Sequence, residues 1–173
     1  MLNLRTAFSP RRGGFTLIEL LVVIAIIAIL AGLGFAGVSG ALKTAKKAET
    51  RAMANQIKLA INTFYSEYGY YPQVSRSDST FLNVMTGAQS AASVNPRRTR
   101  FLEVPPKFLS SNMIVTPARF YTDPNDRRPF SIAVDTNYSG SVRAGTANTV
   151  VSNTTVAVWV ADPTGGTNDI RTW

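Results

Sequence analysis

The hydrophobic pattern of this chain changes character near residue 40. Residues 15–38, "FTLIELLVVIAIIAILAGLGFAGV", are apolar almost without interruption, and from Leu20 to Leu42 there is no charged residue. A helix over those positions would cover roughly 35 Å, against a bilayer core of about 30 Å. A buried core helix of that length would show a polar face, and none is visible. A secretory signal peptide would have a shorter apolar stretch and a small-x-small site at its far end. The segment therefore reads as a retained membrane-spanning helix. Gly32, Gly34, Gly37 and Gly40 follow one another closely and form a soft zone, since each costs a helix about 1 kcal/mol relative to Ala.

From Ala41 to Tyr68 the pattern becomes amphipathic. Leu42, Ala45, Ala48 or Glu49, Met53, Ile57, Ile61, Phe64 and Tyr68 recur at spacings of three and four. Lys43, Lys46, Lys47, Thr50, Arg51, Lys58 and Asn62 fall mostly on the other side. That predicts a helix with one face for a core, ended by Gly69 and kept from resuming by Pro72. The two segments can join into one helix of about 50 residues.

Residues 73–129 are punctuated by prolines and read as irregular, with one short helix over Phe81–Met85 before Gly87. Strands come late. Phe130–Val134 alternates, and Thr155–Val160 is the clearest strand. Between them, residues 137–149 are rich in Gly, Ser, Asn and Thr and read as a loop. "ADPTGGTNDIRTW", residues 161–173, reads as a second loop closed by Ile170 and Trp173.

The 173 residues include no cysteine and no histidine. That excludes a disulfide framework, a His/Cys zinc site, and Ser-His-Asp or Cys-His catalysis in their usual forms. No other catalytic constellation is visible, so the expected role is structural and not enzymatic. The formal charge is +8, and Arg5, Arg11 and Arg12 contribute to it ahead of the apolar run. The other basic cluster is Arg97, Arg98, Arg100, Lys107, Arg119, Arg127 and Arg128. It reads as a solvated, ion-paired surface, and nucleic acid is not among the expected partners.

Glu19 is the one charge inside the apolar run. A carboxylate at membrane depth costs on the order of 2.5–3.5 kcal/mol on insertion scales. No Lys or Arg in the span can pair with it. Were the chain cut after Gly14, Phe15 would carry a free α-amine in the same layer. That amine could meet Glu19 of its own chain or, fixing register, of a neighbour. The plainer alternative is a carboxylate that snorkels to the headgroups.

"GGFTLIELLVVIAIIAILAG" resembles the class III signal of type IV pilins and type II secretion pseudopilins. The resemblance implies cleavage between Gly14 and Phe15 by a prepilin peptidase and N-methylation of Phe15. It also implies that Glu19 neutralises the Phe15 amine of the next subunit in a homo-oligomeric filament. Further on, "TFYSEYGYYP" (63–72), "YTDPNDRRPFSIAVD" (121–135) and the 161–173 tail are similar to segments of the major pseudopilin. The second lacks that family's Trp-Gly. Most members also carry a proline at the position of Ala36, where this chain has its glycine series instead. In that family the tail loop binds calcium, which carries over to Asp162 and Asp169 as carboxylate ligands. The alternative is an ordinary polar turn.

The expectation is an α+β pilin fold: a long N-terminal helix, membrane-spanning in its first half, packed by its second half against a small antiparallel sheet. Residues 1–14 would be a cleaved basic leader, 15–40 the transmembrane and assembly helix, and 41–173 an extracytoplasmic domain. Leader charge alone leaves the topology ambiguous, because Lys43, Lys46, Lys47 and Arg51 flank the other end. The resemblance implies a single-pass inner-membrane protein with a cytoplasmic N-terminus and a periplasmic C-terminal domain. Its implied function is as a subunit of a type II secretion pseudopilus, with an inner-membrane platform protein and minor pseudopilins as partners. The implied alternatives are a type IV or competence pilus subunit and a membrane-anchored, non-polymerising binding protein.

Overall fold

The computed structural model describes residues 14–121, 123, 125–162 and 169–173, with 33–37 described by backbone alone. The leader residues Arg5, Arg11, Arg12 and Gly13 lie outside the described residues, as do Pro124, Gly165 and Gly166. The chain divides into two compact units, Met1–Ala41 and Leu42–Trp173.

The first helix, α1, spans Leu17–Tyr68 and is helical through the glycine zone. In the second unit its buried stripe is Thr50, Met53, Ala54, Ile57, Ala60, Ile61 and Phe64. This repeats at three and four residues, as expected, but starts later. Leu42 is 57% exposed, and Ala45 and Ala48 are exposed as well, so no core covers that end of the predicted stripe. Thr50, expected on the polar side, is buried because its hydroxyl donates to the Lys46 carbonyl at 2.8 Å, which satisfies it without water. Gly69 ends the helix at φ +76°, its N–H donating to Tyr65 O. This is the left-handed cap that favours glycine.

The short helix α2 covers Ser79–Thr86, capped by Asp78, whose carboxylate accepts from Phe81 N at 3.0 Å. Gly87 at φ +72° closes it, with Ala88 N donating back to Asn83 O. Single 3₁₀ turns follow at Gln89–Ala91 and Pro106–Phe108. A small hairpin pairs β1 (Leu109–Ser110) with β2 (Met113–Ile114).

Three antiparallel strands form the sheet behind α1, in the order β3 (Ser131–Val134), β6 (Val156–Val160), β7 (Ile170–Arg171). Ile132 pairs with Val158, and Val160 with Ile170. Alternation gives the sheet two faces. Ile132, Val156, Val158, Val160 and Ile170 join the α1 side chains in the main core. Ala133, Ala157 and Trp159 face the other way and are covered by a second hairpin.

That hairpin corrects the reading of residues 137–149 as a loop. β4 (Ser141–Ala144) pairs with β5 (Thr149–Ser152), bringing Val142 opposite Val151. Val142 and Ala144 alternate inward and bury against Ala157. Gly145 at φ +83° and Asn148 at φ +50° make the turn. The small polar residues that suggested a loop occupy the turn and the outer face, while Val142, Ala144 and Val151 mark the inner one. The architecture is the expected α+β arrangement of a long N-terminal helix, packed by its second half against small antiparallel sheets.

Candidate functional site

The N-terminal segment contains Gly14, Phe15 and Glu19, and all three are exposed. Helix α1 begins immediately after Thr16, and Thr16 and Glu19 close on each other. The Glu19 Oε2 accepts from Thr16 N at 2.8 Å and from Thr16 Oγ1 at 2.7 Å, while Glu19 N approaches Thr16 Oγ1 at 3.3 Å. This is a capping box: the first-turn donors that lack helical partners are satisfied by the Thr-x-x-Glu pair. A carboxylate at the helix start also faces the positive end of the helix dipole. Glu19 thus has a partner within its own chain that a search for opposite charge misses. The signal was present in "TLIE", a Thr followed three residues later by Glu at the start of an apolar run.

Both capping bonds fall on one oxygen, so Oε1 remains available to a further donor. Around this carboxylate the helix is apolar on every side. The large hydrophobic side chains from Phe15 to Leu30 are between 45% and 81% exposed, with no buried face among them. A helix that is hydrophobic all round requires cover from lipid or from other helices. Among the described residues no helix is long and apolar enough to cross a membrane.

Residues 9–35 match the family model of the prokaryotic N-terminal methylation motif. This supports a type IV pilin-like chain. The matched stretch includes Gly14, Phe15, Thr16 and Glu19, so the capping box lies within the motif. No curated protein and no solved structure matches the chain.

The second candidate site is the tail. Asp162 and Asp169 line one cleft of about 530 Å³ together with Lys47, Arg51 and Asn55 of α1. The cleft joins them, but each already has protein donors. Asp162 Oδ2 receives Lys47 Nζ at 2.8 Å, with the carboxylate side chain only 9% exposed. Asp169 is buried and takes Thr146 N at 2.6 Å on Oδ2 and Thr146 Oγ1 at 2.7 Å on Oδ1. Gly145 permits this, since a Cβ there would sit 3.1 Å from Asp169 Oδ2. Among the described residues no group of three or more acidic, His or Cys side chains could hold a metal. Calcium takes six to eight oxygens. Two carboxylates fit part of that set, and an ion would have to displace Lys47 from Asp162. Sequence reasoning did not find Lys47 or Thr146, because neither is near the tail in sequence.

The basic cluster is largely engaged within the protein. Arg97 pairs with Glu67, and Lys107 with Glu49 at 3.1 Å. Arg127 donates to the carbonyls of Thr116, Leu109 and Lys107. Arg128 grips Asp126 through Nε and Nη2 and lies 4.2 Å over the Tyr121 ring. Residues used in this way are poor candidates for a phosphate-binding face.

Proposed function

We propose that this chain is a structural subunit of a type II secretion pseudopilus. A prepilin peptidase cuts it between Gly14 and Phe15, Phe15 is N-methylated, and the mature chain polymerises into a helical filament. The observation that carries the reading is the all-round exposed apolar start of α1 with Glu19 held at its tip, inside a methylation motif. Before assembly the bilayer covers that surface, with the N-terminus inside and the C-terminal unit outside the inner membrane. In the filament neighbouring helices cover it, and burial is worth about 25 cal/mol per Å² of apolar surface.

The capping box gives the pairing a geometric basis. Thr16 holds Glu19 through Oε2 and fixes the carboxylate at the helix tip. Oε1 is then available for the α-amine of Phe15 from a neighbouring subunit. A pair of this kind in an apolar layer contributes register more than net stability. An inner-membrane platform protein and minor pseudopilins complete the proposed machinery.

The test begins with intact-mass measurement of chain extracted from membranes containing an active prepilin peptidase. The expected mature species starts at methylated Phe15; retention of residues 1–14 would refute the processing step. Deleting the gene should then abolish export of secreted proteins. Normal export with loss of surface filaments or DNA uptake would replace the pseudopilus by a pilus. Glu19→Leu should leave the chain in the membrane but unassembled, and normal assembly of that variant would remove the pairing.

A further inference from the structure

The second unit carries a feature that filament assembly does not call on: a groove walled by tyrosines. Two cavities of about 430 and 370 Å³ meet along the segment Pro72–Val74. This is the size range of small-molecule sites. Tyr70, Tyr71 and Tyr138 line the larger one, with Thr80, Gln73 and Thr136 as its polar groups. Tyr70 is fixed by donating its hydroxyl to Val94 O at 2.8 Å. Tyr71 stacks on Tyr65 with ring centroids 4.3 Å apart, and Tyr138 lies 6.4 Å from Tyr71 and 6.2 Å from Tyr65.

Tyr138 is the unusual member. Its backbone sits at φ +55°, a region that bulky residues seldom adopt. The conformation is imposed by Asp135, whose carboxylate accepts from Ser139 N at 3.0 Å and Gly140 N at 2.6 Å. The ring gains little burial in return, since Tyr138 remains 62% exposed at the rim of the groove. The Asp135 turn thus holds an accessible tyrosine ring at the rim of the groove, where a ligand could reach it.

The lining also indicates which ligand. Among the described residues neither cavity is walled by a charged side chain, although 28 of the 173 residues are charged, 18 basic and 10 acidic. A phosphate, a carboxylate or a basic peptide would find no counter-charge there. Flat aromatic faces bordered by hydroxyl and amide groups suit the C–H face and equatorial hydroxyls of a pyranose ring. The geometry points to a neutral-oligosaccharide site in this groove, with Tyr138 as the stacking platform and Gln73 as a hydrogen-bonding partner.

The full chain, purified in a zwitterionic detergent without sugar headgroups, can be titrated with maltotetraose, cellotetraose and chitotetraose by calorimetry, with saturation-transfer NMR as a second readout. At least one of the three should bind saturably at millimolar concentration or below. Tyr138→Asn keeps a residue that tolerates the left-handed conformation and should weaken that binding about tenfold or more, equivalent to about 1.4 kcal/mol. Gln73→Ala should also weaken it, and Tyr138→Phe should retain it. Unchanged melting temperatures would show that the variants remain folded. Absence of binding by all three sugars would overturn the proposal, as would binding that Tyr138→Asn and Gln73→Ala leave intact. Decaproline serves as the competing probe, because aromatic-lined grooves also take polyproline helices. Binding of decaproline alone, lost in Tyr138→Asn, would make the groove a peptide site and refute the sugar.

Discussion

Asn95 is fully buried, and its side chain makes four hydrogen bonds, to Tyr68 of α1, Val84 of α2 and twice to Thr99. Its Nδ2 donates to Val84 O and Thr99 O at 2.8 Å each. Its Oδ1 accepts from Thr99 N at 3.0 Å and from Tyr68 OH at 2.6 Å. It therefore ties the end of α1 to the end of α2 and to the loop that follows. Asn95→Asp is nearly isosteric and tests the polarity of this arrangement. At neutral pH a carboxylate would replace two donors and face two carbonyl oxygens at hydrogen-bond distance. Two net hydrogen bonds are worth about 1 kcal/mol each, and a buried charge without a counter-ion adds more. The expected loss is about 3–5 kcal/mol, a large fraction of the roughly 5–15 kcal/mol that holds a typical domain. A thermal melt followed by circular dichroism should then fall by about 10 °C or more. The deficit should also depend on pH. Burial raises the folded-state pKa of the new carboxyl, so the protonated form is favoured in the fold. The variant should recover part of its stability near pH 4 and lose it as pH rises above the unfolded value of about 3.9. Tyr68→Phe, which removes only one of the four bonds, should cost about 1 kcal/mol. An Asn95→Asp chain that melts with the wild type at pH 7 would refute the hydrogen-bond assignment.

Three further outcomes are expected. Gly87→Ala should cost about 2 kcal/mol or more in chemical denaturation, because a Cβ would lie 2.3 Å from Arg98 O at a backbone φ of +72°; a neutral effect would mean that the 98 turn moves aside freely. Burial, opposed by the nearby Arg128, pushes the Tyr121 hydroxyl up from 10.0 to about 12, so the fold favours the protonated phenol. The stability this gives is complete below about pH 10 and is lost as pH rises towards 12; Tyr121→Phe should melt lower at pH 8 through loss of the bond to Ala161 O and show a flatter alkaline decline. If calcium seats at Asp162 and Asp169, the full chain in detergent should melt several degrees higher in millimolar calcium than in chelator, since a hundredfold excess over Kd is worth about 2.7 kcal/mol. Equal melting temperatures, together with a loss of stability in Lys47→Met, would leave the Lys47–Asp162 ion pair as the staple of the tail.

What could be read in the sequence follows the range of the interaction. The helix ends at Gly69 and Gly87 were legible because a left-handed cap needs only one residue type at one position. The strand at 156–160 was legible because its own alternation carries both faces of the sheet. The β4–β5 hairpin was not, since Val142, Ala144 and Val151 mark its inner face among small polar residues and take their meaning from Ala157 on another strand. The Lys47–Asp162 pair bridges 115 positions, and nothing near either residue announces the other. Asn95 illustrates the same limit in the core: its neighbours in sequence suggest a polar turn, yet its burial depends on Tyr68 and Val84, which precede it by 27 and 11 positions. Glu19 differs, because its partner is three residues away. It was missed through the choice of question, not through distance. A charge in an apolar segment prompts a search for the opposite charge, but a carboxylate at a helix start is satisfied as well by the amide and hydroxyl of Thr16. That local solution would make the proposed filament pairing cheaper, since an anchored carboxylate loses much of its conformational freedom before any second subunit arrives.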